Sequence, residues 1–207
     1  MMNGENIMSY EEIELKHSNL IDIAKEYMKT IDDSEHDINH MNDVVEYTKK
    51  IMNTLDEEVN IDACLIGAYW HDVGRTKIQK GHEEVSSQML ASEMELQGYE
   101  KKFIDICSES IKFHKWDMTP QIKEGWVIKD ADKLAWVGTG RWNSCVQNNQ
   151  RLDELIRLLP SLRDQILHFE CTKKLYDEEI VKIVTLLYTA IYDNDLVSKK
   201  EGLSNYC

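Results

Sequence analysis

The stretch IDACLIGAYWHDVGR, residues 61–75, combines an apolar helical pattern with two side chains that can bind a metal. Its apolar residues recur at helical spacing up to Ala68, and Gly74 is suited to end such a helix. His71 and Asp72 then fall in the last helical turn, where an imidazole and a carboxylate can turn toward one ion. Because both groups are costly to bury without a partner, the stretch predicts a divalent cation beside them.

Other predicted helices carry side chains of the same types on rows that face the core. His40 lies beside the apolar row of the helix predicted over about residues 37–55. Several such residues are hard to explain as separate, hydrogen-bonded core residues, because each buried carboxylate would then need its own cation. The sequence therefore predicts a metal site whose ligands are His40, His71, Asp72 and Asp132.

Two cations next to these candidates leave a second interpretation open. Arg75 follows the His-Asp pair closely, and Lys133 follows Asp132 directly. Either could pair with a buried carboxylate in place of a metal. At the rim of a metal site, the same groups would suit phosphate oxygens and would steady the charge that develops on a phosphate during reaction.

Two more histidines could extend the site. His82 opens a predicted helix beside Glu83 and Glu84, and His114 precedes a turn. Each could hold a second metal or contact a substrate, and His82 could equally be an exposed residue on a charged face. Glu83 is a candidate proton acceptor from its position alone.

The remaining histidines and the tryptophans give weaker indications. His17, His36 and His168 are interpreted as surface or capping residues. Most of the five tryptophans are assigned to the core, and Trp116 and Trp142 are the two that could line a pocket.

The composition favours a helical fold. Of the 207 residues, 42% are hydrophobic, and only two are proline and nine glycine. Helical periodicity recurs along most of the chain and no strand pattern is evident, so the predicted fold class is all-α, a helical bundle. The pattern predicts one helix over about residues 10–30, a helix that starts directly after Thr119 with Pro120 at its first position, and an interruption near Pro160. One domain is predicted over residues 10–192, with a motif core over about 20–140, C-terminal helices over 141–192, and flexible tails at 1–9 and 193–207.

Charge and cysteine content limit the expected partners. The formal net charge of −14 disfavours binding to a nucleic acid polymer, whereas a metal and a few cations can reverse the local field for a small phosphorylated substrate. The five cysteines contain no CxxC pair, which favours free thiols in a reducing compartment. Neither a membrane-spanning run nor a signal peptide is recognised, so a cytoplasmic location without a membrane partner is expected. The oligomeric state stays open.

Five segments together resemble motifs of the HD superfamily of metal-dependent phosphohydrolases. They are HDINHMNDVVEYT (36–48), AYWHDVGR (68–75), KGHEEVSS (80–87), IKFH (111–114) and VIKDADKLAWVG (127–138). The resemblance covers about residues 20–140. It implies an HD-domain-like helical bundle that hydrolyses phosphate esters, often those of nucleotides.

The resemblance also implies roles for the candidate residues. The first metal would be held by His40, His71, Asp72 and Asp132. A second ion would be held by His82 and His114, with Asp72 shared between the two. The metal would polarise the phosphate and supply the attacking water, while Lys133 or Arg75 would stabilise the developing charge. A site rich in histidines favours Mn, Fe, Ni, Co or Zn over Mg.

Two departures from the family pattern concern the substrate pocket. Asp43 stands where many relatives carry Arg, three residues after the first ligand histidine, and the bulky Trp70 precedes His71 where a smaller aliphatic residue is usual.

Two further functions stay open beside hydrolysis. Some members with the six-residue pattern resemble mixed-valence di-iron oxygenases, and a chain of this kind could also be a non-catalytic regulatory or binding module that a metal stabilises.

Overall fold

The structure, a computed structural model, describes residues 8–33, 36–138 and 152–204. Within these residues it contains nine α-helices and no strand. The helices are α1 (Tyr10–Lys16), α2 (Ser18–Met28), α3 (Ile38–Thr54), α4 (Ile61–Trp70), α5 (His82–Leu96), α6 (Lys101–Lys112), α7 (Lys123–Val137), α8 (Leu152–Ile166) and α9 (Glu170–Ser204). A short 3-10 helix, Val73–Thr76, follows α4. The predicted all-α class is therefore confirmed.

Helix α4 is buried on every side. All residues from Ala63 to Trp70 are buried, and the helix contacts α2, α3, α5 and α6. A helix that is hydrophobic all round has no face for solvent and becomes a core helix. Its C-terminal end therefore delivers the residues that follow, beginning with His71, into the interior.

Helix α3 begins at an acidic cap. The Asp37 carboxylate accepts hydrogen bonds from the backbone N–H groups of Asn39 (2.9 Å) and His40 (3.1 Å). A side-chain cap of this kind satisfies N–H groups that have no partner inside the helix, and so it fixes where the helix starts. Because α3 also contacts α4, His40 is held in the first turn of a helix that is anchored to the core.

Close packing of α4 against α6 and α7 depends on a glycine. A Cβ atom at Gly67 would lie 2.7 Å from Ser110 Oγ and 3.2 Å from side-chain carbons of Ile111 and Ile128. These distances leave no room for a side chain. The glycine thus lets the two neighbouring helices approach the backbone of α4.

The N-terminal helical segment is divided at His17, whereas the sequence pattern predicted one helix over about residues 10–30. His17 occupies the cap position between α1 and α2, as one of the two expectations held, but its ring makes no capping hydrogen bond to α2 and is buried rather than exposed. His17 Nε2 lies 2.9 Å from Asp62 Oδ2, and Nδ1 lies 2.9 Å from the Tyr99 hydroxyl oxygen. The ring also stacks on Tyr99 and Phe103, so burial and two polar contacts hold the break in place.

Two helix boundaries near prolines differ from the sequence prediction. Helix α7 begins at Lys123 instead of directly after Thr119, and Pro120 lies before it, with its Cβ 2.9 Å from the place that a Cβ at Gly125 would take. Pro160 lies inside α8 and does not interrupt it. Buried residues on both sides of Pro160, Leu159 and Leu162, hold the helix against the cost of the lost backbone hydrogen bond.

The chain divides into two compact units, Met1–Ala135 and Trp136–Cys207. In the second unit α8 and α9 contact each other, and α9 continues to Ser204, beyond the end at residue 192 that the sequence pattern predicted. The single domain over 10–192 stays a prediction. Residues 1–7 and 205–207 of the predicted tails lie outside the described residues. Among the helices of the described part, none combines the length and the apolar character needed to cross a bilayer.

Replacing His17 with alanine should lower the free energy of unfolding by about 2–3 kcal/mol, because it removes two hydrogen-bond partners and leaves a partly buried carboxylate and hydroxyl without them. Urea-induced unfolding followed by circular dichroism measures the change.

Lys16→Ala is the matched control. Lys16 Nζ contacts the same Asp62 carboxylate at 2.6 Å, but this lysine side chain is 52% exposed. Solvent screening reduces such a pair to less than about 1 kcal/mol. Equal destabilisation by the two substitutions would contradict a structural role for the buried ring.

Candidate metal centre

Six side chains that the sequence singled out as ligands converge in the first unit. They are His40 from α3, His71 and Asp72 after α4, His82 from α5, His114 after α6, and Asp132 from α7. Two overlapping groups of three can be distinguished, and within each group the ligand atoms lie within 4.8 Å of one another. One group is His40, His71 and Asp72, and the other is Asp72, His82 and His114.

Three of the imidazole rings are oriented by their own backbone. The Nδ1–H groups of His71, His82 and His114 point at carbonyl oxygens three residues earlier in the chain, at distances of 2.9, 2.9 and 2.6 Å. A ring nitrogen that donates to a carbonyl leaves the other nitrogen with a lone pair. The Nε2 atoms of these three rings therefore face one another as acceptors, which is the arrangement found in metal-binding histidines.

Hydrogen bonds among the side chains do not account for the second group. His82 Nε2 lies 3.3 Å from His114 Nε2 and 2.9 Å from Asp72 Oδ1. All three atoms are acceptors when the Nδ1 protons are used by carbonyl groups. A single added proton would satisfy one of these contacts, whereas a divalent cation among them satisfies all three at once. The donor set therefore fits a transition metal.

The Asp72 carboxylate lies between the two groups. Its Oδ1 atom faces Nε2 of His82 and, at 3.6 Å, Nε2 of His114. Its Oδ2 atom lies 3.6 Å from His71 Nε2 and 3.9 Å from His40 Nε2. Burial alone would raise the pKa of this carboxyl, but the surrounding imidazoles outweigh burial and hold it well below its usual range. Asp72 is therefore an ionised carboxylate with one oxygen for each group.

The first group differs from the second in how one of its rings, that of His40, is held. His40 Nδ1 has no hydrogen-bond partner among the described residues, and His40 Nε2 lies 3.4 Å from His71 Nε2 and 3.2 Å from Asp132 Oδ1. Burial lowers the pKa of His71 to about 3, so this ring is neutral near neutral pH. Asp132 thus joins the first group through its contact with His40.

Lys133 lies directly against the Asp132 carboxylate. Its ammonium donates to Asp132 Oδ2 at 2.6 Å. Burial would raise the pKa of Asp132, but the ammonium and the contact with His40 hold it well below its usual value. Lys133 is itself largely buried, so its charge acts on the site with little screening by solvent.

Arg75 and Glu83 occupy different sides of the second group. Arg75 Nε lies 2.9 Å from Asp72 Oδ1 without the geometry of a hydrogen bond, and its guanidinium also donates to Gln79 Oε1 at 3.1 Å. Glu83 is buried, and its Oε2 atom lies 3.4 Å from Nδ1 of His82, the nitrogen that faces away from the group. The role of Glu83 as a proton acceptor stays a prediction.

A further histidine, which the sequence analysis assigned to the surface or a cap, lies at this site. The ring of His36 is edge-on to that of His40 at 5.9 Å, and its Nδ1 atom lies 2.8 Å from Asp33 Oδ2. Burial lowers the pKa of His36. The spacing of one helical turn between His36 and His40 is the sequence signal that could have indicated this contact. Trp142, which the sequence also brought to attention, lies outside the described residues.

Gly74 controls the distance between the Asp72 segment and α5. A Cβ atom at Gly74 would lie 2.2 Å from the carbonyl oxygen of His82 and 2.6 Å from the backbone nitrogen of Ser86. The Gly74 N–H also donates to Ser86 Oγ at 2.7 Å. The glycine is therefore required for close approach, and not for the left-handed helix end that the sequence suggested, since its φ is not positive.

Adding a methyl group at Gly74 should push α5 away and separate His82 from Asp72. We expect Gly74→Ala to lose about 1–3 kcal/mol of unfolding free energy and to bind less metal than the unchanged protein. Chemical unfolding and elemental analysis of the purified variant measure the two effects.

Gly98→Asn is the matched control for this substitution. A Cβ atom at Gly98 meets nothing within 4 Å, and asparagine tolerates the left-handed backbone found there. Full metal content in both variants would contradict the role assigned to Gly74.

Comparisons with known proteins agree with this geometry. A family model described as HD domain matches residues 37–137, a range that contains all six converging side chains. The fold is similar to the crystal structure of a predicted HD superfamily hydrolase from an uncultured Thermotogales bacterium. The TM-score is 0.68 and the sequence identity 20%, over 90% of this chain and 99% of that chain. A search of curated proteins found no significant match.

Proposed function

Because residues 37–137 match the HD domain model, we propose that this chain is a metal-dependent phosphohydrolase of the HD superfamily. The HD domain match supports metal-dependent hydrolysis as the general activity. The substrate we propose is a phosphate ester of a small molecule, in particular a nucleotide. The observation that carries the proposal is the pair of ligand groups that share the Asp72 carboxylate.

The residues present fit one or two transition ions. The first ion would be held by His40, His71, Asp72 and Asp132, and the second by Asp72, His82 and His114. Each metal position offers two imidazole nitrogens together with carboxylate oxygen. This donor set favours Mn, Fe, Ni, Co or Zn over Mg. When bound, such an ion supplies Lewis acidity and a water molecule of lowered pKa for hydrolysis.

Two cations would bind the phosphate oxygens beside these ligands. The Lys133 ammonium is fixed at Asp132, and the Arg75 guanidinium is fixed between Asp72 and Gln79. Fixed cations stabilise the charge that develops on a phosphate without having to reorganise during the reaction. They also provide local positive charge in a protein whose formal net charge is −14.

The purified protein, reconstituted in turn with each of these metals and with Mg, should release phosphate from at least one member of a panel of nucleotides and generic phosphate esters. In the active metal form, His71→Ala should lower kcat/KM at least about 100-fold and reduce the bound metal, because it removes a central donor. Phosphate release and elemental analysis measure the two effects.

His168→Ala is the control, since this histidine is exposed and lies in the second unit. It should keep both metal content and activity. Full activity after loss of His71 would refute the assignment, and a panel without any turnover, in protein that still binds metal, would favour a non-catalytic metal-stabilised module.

A di-iron oxygenase is the second candidate, and the closeness of His82 and His114 to Asp72 supports it, because these residues would hold the second ion. This function requires two iron ions rather than one. Anaerobic loading with iron, followed by Mössbauer and electron paramagnetic resonance spectroscopy, tests it. A coupled mixed-valence signal, together with the absence of phosphate release, would support oxygenase chemistry in place of hydrolysis.

A further inference from the structure

Trp116 is a large aromatic side chain that stays exposed beside buried metal-binding candidates. It lies in the segment between α6 and α7, two residues after His114. Its exposed fraction is 48%, whereas that of His114 is 2%. Exposed tryptophans next to a polar site are enriched at positions that contact ligands, because the indole offers a wide apolar surface.

A buried lysine holds the backbone of this segment in place. Lys129 is 6% exposed, and its ammonium donates to the carbonyl oxygens of Trp116, at 3.2 Å, and of Met118. Charge-assisted bonds of this kind are stronger than bonds between neutral groups. The segment that carries the indole is therefore fixed to α7, and Lys129 acts as a positioning residue.

The Trp116 indole and the Asp132 carboxylate contact the same lysine ammonium. The Lys133 ammonium lies over the Trp116 ring at 5.7 Å from its centroid, and the same ammonium contacts Asp132 Oδ2 at 2.6 Å. A cation at this distance is attracted by the ring and orients it. The indole is thus separated from the Asp132 carboxylate by a single ammonium group.

We propose that the Trp116 indole is the stacking surface for the base of a nucleoside phosphate, whose phosphate lies at the metal-binding residues and against Lys133. The proposal rests on the function proposed above and deepens it, since it assigns the residue that selects an aromatic substrate. A nucleotide carries its base on C1′ and its 5′-phosphate on C5′, at opposite ends of one pentose, so a phosphate site and a neighbouring fixed aromatic ring match its two ends. Stacking on an aromatic side chain tolerates every base, because each base has a π-face.

The test compares two phosphate monoesters that differ only in the base. Adenosine 5′-monophosphate and ribose 5-phosphate offer the same phosphate on the same sugar carbon. We expect the manganese-loaded protein to bind the nucleotide at least about tenfold more tightly than ribose 5-phosphate, because the stacking of one base contributes a gain of this size. Binding is measured by equilibrium dialysis with the phosphonate analogues of the two esters, in which a methylene group replaces the ester oxygen, so that the manganese-loaded protein cannot hydrolyse the ligand during equilibration.

Three variants separate stacking from a merely structural role. Trp116→Leu should abolish the preference for the nucleotide and leave the affinity for ribose 5-phosphate unchanged, whereas Trp116→Phe should keep most of the preference. Lys129→Met keeps the indole but releases its segment, so it should reduce the preference while ribose 5-phosphate binding persists. Thermal unfolding checks that each variant is folded, and W116F and K129M keep the test decisive if W116L does not fold.

The outcomes distinguish this inference from the function on which it rests. If the unchanged protein binds the two esters equally, or if W116L weakens both to the same extent, the stacking role is overturned. If the preference for the nucleotide is found and lost as expected but no ester is hydrolysed, the stacking role holds and the hydrolase proposal fails.

Discussion

The structure depends on the contact between one buried carboxylate and four imidazole rings. Asp72 meets two histidines through each of its oxygens, and three of the four rings have already used their Nδ1 protons on carbonyl groups. Negative charge and lone pairs are thereby concentrated among side chains that are no more than 5% exposed. Arg75 supplies one cation beside Asp72 Oδ1, but it gives the imidazole lone pairs no donor, and such a concentration is costly unless a further cation neutralises it. The need for that cation is the most direct link between this fold and a chemical activity.

The helices supply this arrangement through their packing. Helix α4 has no exposed side, and the four residues that follow it, His71 to Gly74, are buried as well. The short 3-10 helix then turns the chain past α5, at a distance that only Gly74 permits. The ligands from α3, α5 and α7 are each placed at or near a helix end or on a buried row, where packing leaves little freedom. Rigid elements of this kind can hold ligands more accurately than loops.

The sequence predicted the fold class and the convergence of the six side chains, because both depend on helical spacing and on residue chemistry. It did not predict the break at His17, since this break depends on Asp62 and Tyr99, which are distant in the chain. It assigned Gly74 to a helix end and missed the close approach of α5, because spacing alone does not reveal where another helix packs. His36 was missed although its spacing of four residues from His40 was a usable signal, because the start of α3 decides whether the two rings meet.

The orientation of the three rings by their own backbone has an evolutionary consequence. In each case the orienting carbonyl belongs to the residue three positions before the histidine, so every tetrapeptide contains both the ligand and its support. A carbonyl group is present whatever the side chain, and no single codon change removes it. A substitution within these tetrapeptides can therefore change a side chain and still leave in place the carbonyl group that orients the imidazole.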